Sequence, residues 1–79
     1  MTKVYTLYGT DCCHLCELAE QVCISAGIMA CVEKIDIAND EQLVDLYGVK
    51  IPVLKNNSTQ QELNWPFDAQ MISQIKPKL

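Results

Sequence analysis

"GTDCCHLCELAE", residues 9–20, places three cysteines and the chain's one histidine within five consecutive positions. The stretch before it, "KVYTLYG" (3–9), is rich in β-branched and aromatic residues and closes on glycine, so it reads as a strand. Beyond it the period changes. Leu15, Leu18, Ala19, Val22, Cys23 and Ala26 recur at i, i+3, i+4, i+7, i+8 and i+11, one face of a helix, while Glu17, Glu20 and Gln21 lie off that stripe. Gly27 follows as a C-terminal stop. The cysteine cluster therefore stands where a strand hands over to a helix.

That placement has chemical consequences. With Cys13 at the N-cap, Cys16 lies three residues on, and residues at that spacing are neighbours on a helix, with Cβ atoms roughly 5–6 Å apart. A disulfide needs about 3.5–4.5 Å, so a small local adjustment closes it without refolding the domain. The unpaired N–H groups and dipole of a helix start favour negative charge. Thiols in such settings ionise with pKa values of ~3.5–7.5, against about 8.5 for a free cysteine. Cys13 is the expected nucleophile and Cys16 the resolving thiol, exchanging through a mixed disulfide. Asp11 and Glu17 oppose a second anion here. His14 is a modulating group if it is protonated or donates to sulfur, and otherwise a solvated side chain.

Downstream, "ACVEKIDI" (30–37) alternates as a second strand. Asn39 is placed to cap a short helix, with Leu43, Val44 and Tyr47 as its apolar side and Gly48 as its stop. "IPVLK" (51–55) is a short strand entered through proline, "NNST" a turn, and "QQELNW" a weakly signalled fourth strand. Asp68 caps a last helix, "AQMISQI", which stops before Pro77. The order is β-α-β-α-β-β-α. A right-handed crossover makes the first two strands parallel, and a short turn makes the last two an antiparallel hairpin. The expected fold class is α/β, a mixed four-stranded sheet with helices on both faces.

The 79 residues make one domain, 1–79, with enough apolar residues for a core. The formal charge is -4, all six basic residues are lysines, and no basic cluster suits nucleic acid. No arginine is present to fork onto a carboxylate or phosphate. No apolar run approaches a membrane span, and the N-terminus lacks a signal-peptide core. These features, and an odd count of five cysteines, suit a reducing cytoplasmic setting better than a disulfide framework.

With Cys13-His14-Leu15-Cys16 after the first strand and Val49-Lys50-Ile51-Pro52-Val53-Leu54 opening the third, the chain resembles glutaredoxins and the wider thioredoxin superfamily. It is more similar still to a small bacterial glutaredoxin-like group marked by "CHLC", "VPVL" and "ELxWPFD". The last appears here as Glu62-Leu63-Asn64-Trp65-Pro66-Phe67-Asp68. The resemblance implies a thioredoxin-like, glutaredoxin-type fold, with a cis Ile51–Pro52 bond beside the cysteine pair. It also implies that Ile51 offers backbone groups to an extended substrate. Three departures stand out: Thr10-Asp11-Cys12 where glutaredoxins carry a lysine, Trp65-Pro66 where they carry a glycine pair, and His14-Leu15 between the cysteines. The first two predict weak or absent glutathione binding, with no other cofactor expected. The third means that the family's redox poise does not transfer.

The function expected is thiol-disulfide oxidoreduction by a disulfide reductase acting on protein or small-molecule disulfides, with an unnamed reductant, no nucleic-acid or membrane partner, and a monomer by default. The alternative is a non-enzymatic binding module or a metal or iron–sulfur carrier. Four ligands drawn from Cys12, Cys13, His14 and Cys16 could hardly surround one ion, so that alternative requires a cluster shared between chains. Cys23 and Cys31 read as small buried hydrophobes and Cys12 as a bystander. Trp65 is a core residue or a border of the substrate site.

Overall fold

The computed structural model describes residues 3–11 and 13–75. The chain runs β1 (Tyr5–Gly9), α1 (His14–Ser25), a 3-10 turn (Met29–Cys31), β2 (Val32–Asp36), α2 (Glu41–Tyr47), β3 (Val53–Asn56), β4 (Glu62–Asn64) and α3 (Ala69–Gln74). The four strands form one sheet in the order β2-β1-β3-β4. β1 and β2 are parallel, from Tyr5 beside Val32 to Gly9 beside Asp36; β1–β3 and β3–β4 are antiparallel. This is the mixed four-stranded sheet expected from the order of elements.

Strand alternation sorts the core into two clusters. Tyr5, Leu7 and Leu54 turn one way and pack with Ala19 and Cys23 of α1 and Ile72 of α3. Tyr8 and Val53 turn the other way and meet Ile37, Leu43 and Tyr47. So α1 and α3 cover one face of the sheet and α2 covers the other. On the α2 side Tyr8 and Tyr47 stack with ring centroids 4.3 Å apart, and Tyr47 Oη donates to Glu62 at 2.5 Å. That bond first, and burial second, raise the Tyr47 phenol above its ordinary value.

The helix ends follow capping chemistry. Asp68 accepts from the Met71 N–H at 2.9 Å and caps α3. The cap of α2 is Asp40 and not Asn39: its carboxylate accepts from Gln42 and Leu43 N–H at 3.0 and 3.2 Å. A single acceptor that satisfies two orphan donors fixes the start one residue later than expected. At the end of α1, Gly27 adopts φ +76°, its N–H bonds to the Ile24 carbonyl, and the Ile28 N–H bonds to Cys23. This is a Schellman closure, and it needs the left-handed conformation that glycine adopts freely.

Two expectations about burial are corrected. The stripe on α1 is not buried along its length: Ala19 and Cys23 are enclosed, but Leu15 is 44% exposed and Leu18 39%. The small side chains of Ala19 and Cys23 meet the core, while the two leucines stay partly exposed, Leu18 beside Trp65 in an apolar groove. Cys31 is exposed, because it ends the 3-10 turn and is not inside a strand. Among the described residues no helix is long and apolar enough to cross a membrane. Cys12 and Pro77 lie outside the described residues.

Asn56 is fully buried at the end of β3. Its carbonyl accepts from the Ser58 and Thr59 N–H groups at 2.8 and 3.2 Å, and its amide donates to the Ile75 carbonyl. One side chain thus holds the hairpin turn and the end of α3 together. Tyr5 offers the contrast, since its buried hydroxyl has no hydrogen-bond partner among the described residues. Asn56→Ala should lower stability by about 2–3 kcal/mol by stranding the buried Ile75 carbonyl and releasing two part-buried turn N–H groups. Tyr5→Phe should change it by less than about 0.5 kcal/mol or raise it. Urea unfolding of the two variants checks both values.

Candidate active site

The site begins with an absence on β1. A Cβ placed on Gly9 would lie 2.9 Å from Cys16 Sγ and 3.3 Å from Cys16 Cβ. Glycine at the end of the strand therefore lets the first turn of α1 settle against the sheet. Cys13 caps that helix in extended conformation, at φ -103° and ψ 110°, and its sulfur accepts from the Cys16 N–H at 3.2 Å. Cys16 Sγ also donates to Cys13 Sγ at 2.6 Å, and both cysteines are free thiols. Two donors from one residue thus converge on the Cys13 sulfur.

The second thiol is held in its protonated form. Burial first, and the hydrogen bond to Cys13 second, push Cys16 from an ordinary value of 9.0 to about 11, with the Thr10 backbone pulling the other way and Asp36 adding to the rise. Cys23, deep in the core, is pushed to about 11 mainly by burial. A cleft of about 370 Å³ is lined by both cysteines of the pair. Its polar walls are Thr10 and Asp11 after β1, Glu17 and Glu20 on α1, and Lys34 and Asp36 on β2. Lys34 is bound to Glu20 at 3.0 Å.

The remaining expected site residues are spread more widely. His14 points outward with its side chain 80% exposed and Nδ1 3.9 Å from Glu17; among the described residues it makes no hydrogen bond to either sulfur. The Ile51–Pro52 and Trp65–Pro66 bonds are both cis. Pro52 is fully buried and immediately precedes Val53, which pairs with Tyr8 at the end of the β1–β3 ladder. The Ile51 N–H is committed to the Tyr47 carbonyl at 3.0 Å, and its side chain packs against the α2-side cluster. Trp65 meets Phe67 edge-on at 5.2 Å and lines an apolar groove with Leu18 and Val22. None of Ile51, Pro52 and Trp65 lines the cleft over the thiols. Among the described residues no group of three or more Cys, His, Asp or Glu side chains is placed to hold a metal ion.

Sequence reasoning missed Gly9 as a spacer and Asp36 as a wall. The signal for both was present in the parallel pairing of the first two strands, which puts Asp36 level with Gly9.

A mixed four-stranded sheet, a Cys-x-x-Cys pair at the start of the first helix and a proline leading into the third strand define a thioredoxin-like fold of glutaredoxin type. The chain belongs to the family described as Glutaredoxin-like domain (DUF836), which it matches over residues 4–75. It is similar to the X-ray structure of the structural-genomics target protein XcR50 from X. campestris, with 36% identity, a TM-score of 0.81, and coverage of 92% of this chain and 99% of that one. The solution structure of the same target gives 33% identity, a TM-score of 0.80, and coverage of 96% and 99%. No curated protein matches.

The two raised thiols set a pH dependence. A folded-state pKa above the unfolded one means that the native protein holds a proton the unfolded chain has released. That stabilisation is complete below the ordinary thiol value and is lost as pH rises through about 11. Thermal unfolding should therefore shift to lower temperature from about pH 9 to pH 11. The slope should be shallower in Cys16→Ser, because the Cys16 contribution is gone.

Proposed function

We propose that the protein is a thiol-disulfide oxidoreductase with Cys13 as nucleophile and Cys16 as resolving thiol. The observation that carries this reading is the convergence of the Cys16 N–H and S–H on the Cys13 sulfur, at 3.2 and 2.6 Å. Two sulfurs already in contact can pass from a mixed to an intramolecular disulfide without refolding, and the attacking species is a thiolate. The Cys13 thiolate attacks one sulfur of a substrate disulfide, the S–S bond breaks, and one substrate thiolate leaves and takes a proton. Cys16 then gives up its proton and attacks the Cys13 sulfur. The intramolecular disulfide forms and the second substrate thiol departs. The substrate gains two electrons and the pair loses two.

The raised Cys16 value suits this order of events. A resolving thiol that stays protonated does not compete for substrate, and it becomes a nucleophile only when Cys13 is tied up and the hydrogen bond between them is lost. Protein or small-molecule disulfides are the substrates, and a reducing compartment such as the cytoplasm is the setting that returns the pair to dithiol. Pro52, fully buried before β3, shapes the backbone from below and does not itself touch the substrate. Ile51 contributes less to pairing than in the general scheme, because its N–H is already used by Tyr47. Trp65-Pro66, with no arginine in the chain, disfavours glutathione.

Trapping tests the role assignment. Cys16→Ser, mixed with a small disulfide at neutral pH, should accumulate a mixed disulfide at Cys13, located by peptide mass mapping. Cys13→Ser should accumulate none at Cys16 on the same timescale. Capture at Cys12, Cys23 or Cys31 in place of Cys13 contradicts the assignment.

A further inference from the structure

We propose that the acidic cleft beside the thiol pair selects disulfides whose flanking groups carry positive charge. This rests on the redox reading above and concerns what reaches the site, not the exchange itself.

The cysteine pair is the site; the carboxylates are its surroundings. Four of them, Asp11, Glu17, Glu20 and Asp36, stand on the walls of a cleft that both cysteines also line. Against them is one ammonium, Lys34, and it is already bound to Glu20 at 3.0 Å. No lysine or arginine occurs anywhere between Lys3 and Lys34, a stretch that contains all of β1, α1 and the pair. Lys50 and Lys55 lie on or before β3 and do not line the cleft. The carboxylates come from three separate elements: the loop after β1, α1 and the end of β2. The negative field is therefore a property of the whole cleft. Asp36 also acts on the Cys16 sulfur itself, where its charge opposes a second anion.

The attacking sulfur carries negative charge, and so does the leaving sulfur. An anionic substrate would add its own charge to this crowded neighbourhood. A cationic one offsets the field as it enters and stabilises the departing thiolate. Focused fields in clefts change encounter rates by about 10–10³ and weaken steeply with salt. Two sources share the required chemistry: free amine-bearing disulfides, and disulfides within lysine-rich protein segments.

The test is the second-order rate at which disulfides oxidise the reduced protein, each divided by the rate for the neutral thiol 2-mercaptoethanol. Cystamine is the cationic probe, 2-hydroxyethyl disulfide the neutral one, and 3,3′-dithiodipropionate the anionic one. At about 0.01 M salt, cystamine should exceed the dianion by about tenfold or more. The preference should collapse near 1 M salt, where the Debye length falls from roughly 30 Å to roughly 3 Å. Asp11→Asn combined with Glu17→Gln should narrow it by several-fold. A lysine-flanked cystine peptide outrunning cystamine assigns the protein source, and the reverse order assigns the small-molecule source. Equal normalised rates, or a preference untouched by salt and by the double substitution, overturn the proposal while leaving the redox reading intact. Failure of all three probes, the neutral one included, to form the Cys13–Cys16 disulfide overturns both.

Discussion

Everything chemical in this molecule depends on how closely the first turn of α1 approaches the end of β1. That approach is possible because Gly9 has no side chain: a Cβ there would meet Cys16 Sγ at 2.9 Å. With the helix seated this low, Cys16 is shielded enough for burial to hold its proton, and its N–H and S–H both reach the Cys13 sulfur. Raising the helix by even a side-chain radius would loosen both contacts. The N-cap geometry of Cys13 follows from the same junction, since the cap must be extended where the chain leaves the strand.

The rest of the fold keeps that junction in place. Ala19 and Cys23 pack α1 onto the sheet through small side chains, and the Gly27 closure ends the helix so that β2 returns parallel to β1. The parallel return brings Lys34 and Asp36 up to the level of Gly9, which makes the second wall of the cleft. On the opposite face, the Tyr8–Tyr47 stack and the Tyr47–Glu62 bond tie α2 to the sheet and to β4. Asn56 joins the hairpin to the end of α3, the other helix on the α1 face. A small domain with modest apolar burial thus relies on a few polar links at the ends of its elements.

The local signals were legible in the chain. Cys13 at the N-cap and Asp68 at the last helix are short-range capping arrangements, and the change from period two to period 3.6 after Gly9 marked the junction. What escaped depends on contacts between elements. The apolar stripe on α1 gave no way to know that Leu15 and Leu18 stay partly exposed while Ala19 and Cys23 are enclosed. Asn39 and Asp40 are both acceptable caps, and only the closing geometry selects the aspartate. Cys31 looked like a strand residue because the 3-10 turn before β2 leaves no mark in hydrophobic pattern. The role of Gly9 and the facing of Asp36 are visible only once β1 and β2 are in register.

The central claim is that Cys13 and Cys16 act as one coupled redox unit. Equilibrating the protein across a graded series of reduced and oxidised dithiothreitol, quenching with acid and reading the masses tests this most directly. The account predicts one reversible two-electron transition, with peptide maps placing the bond between Cys13 and Cys16 in the oxidised form. Oxidation that maps to another cysteine pair, or a protein that stays a dithiol across the whole series, would contradict it.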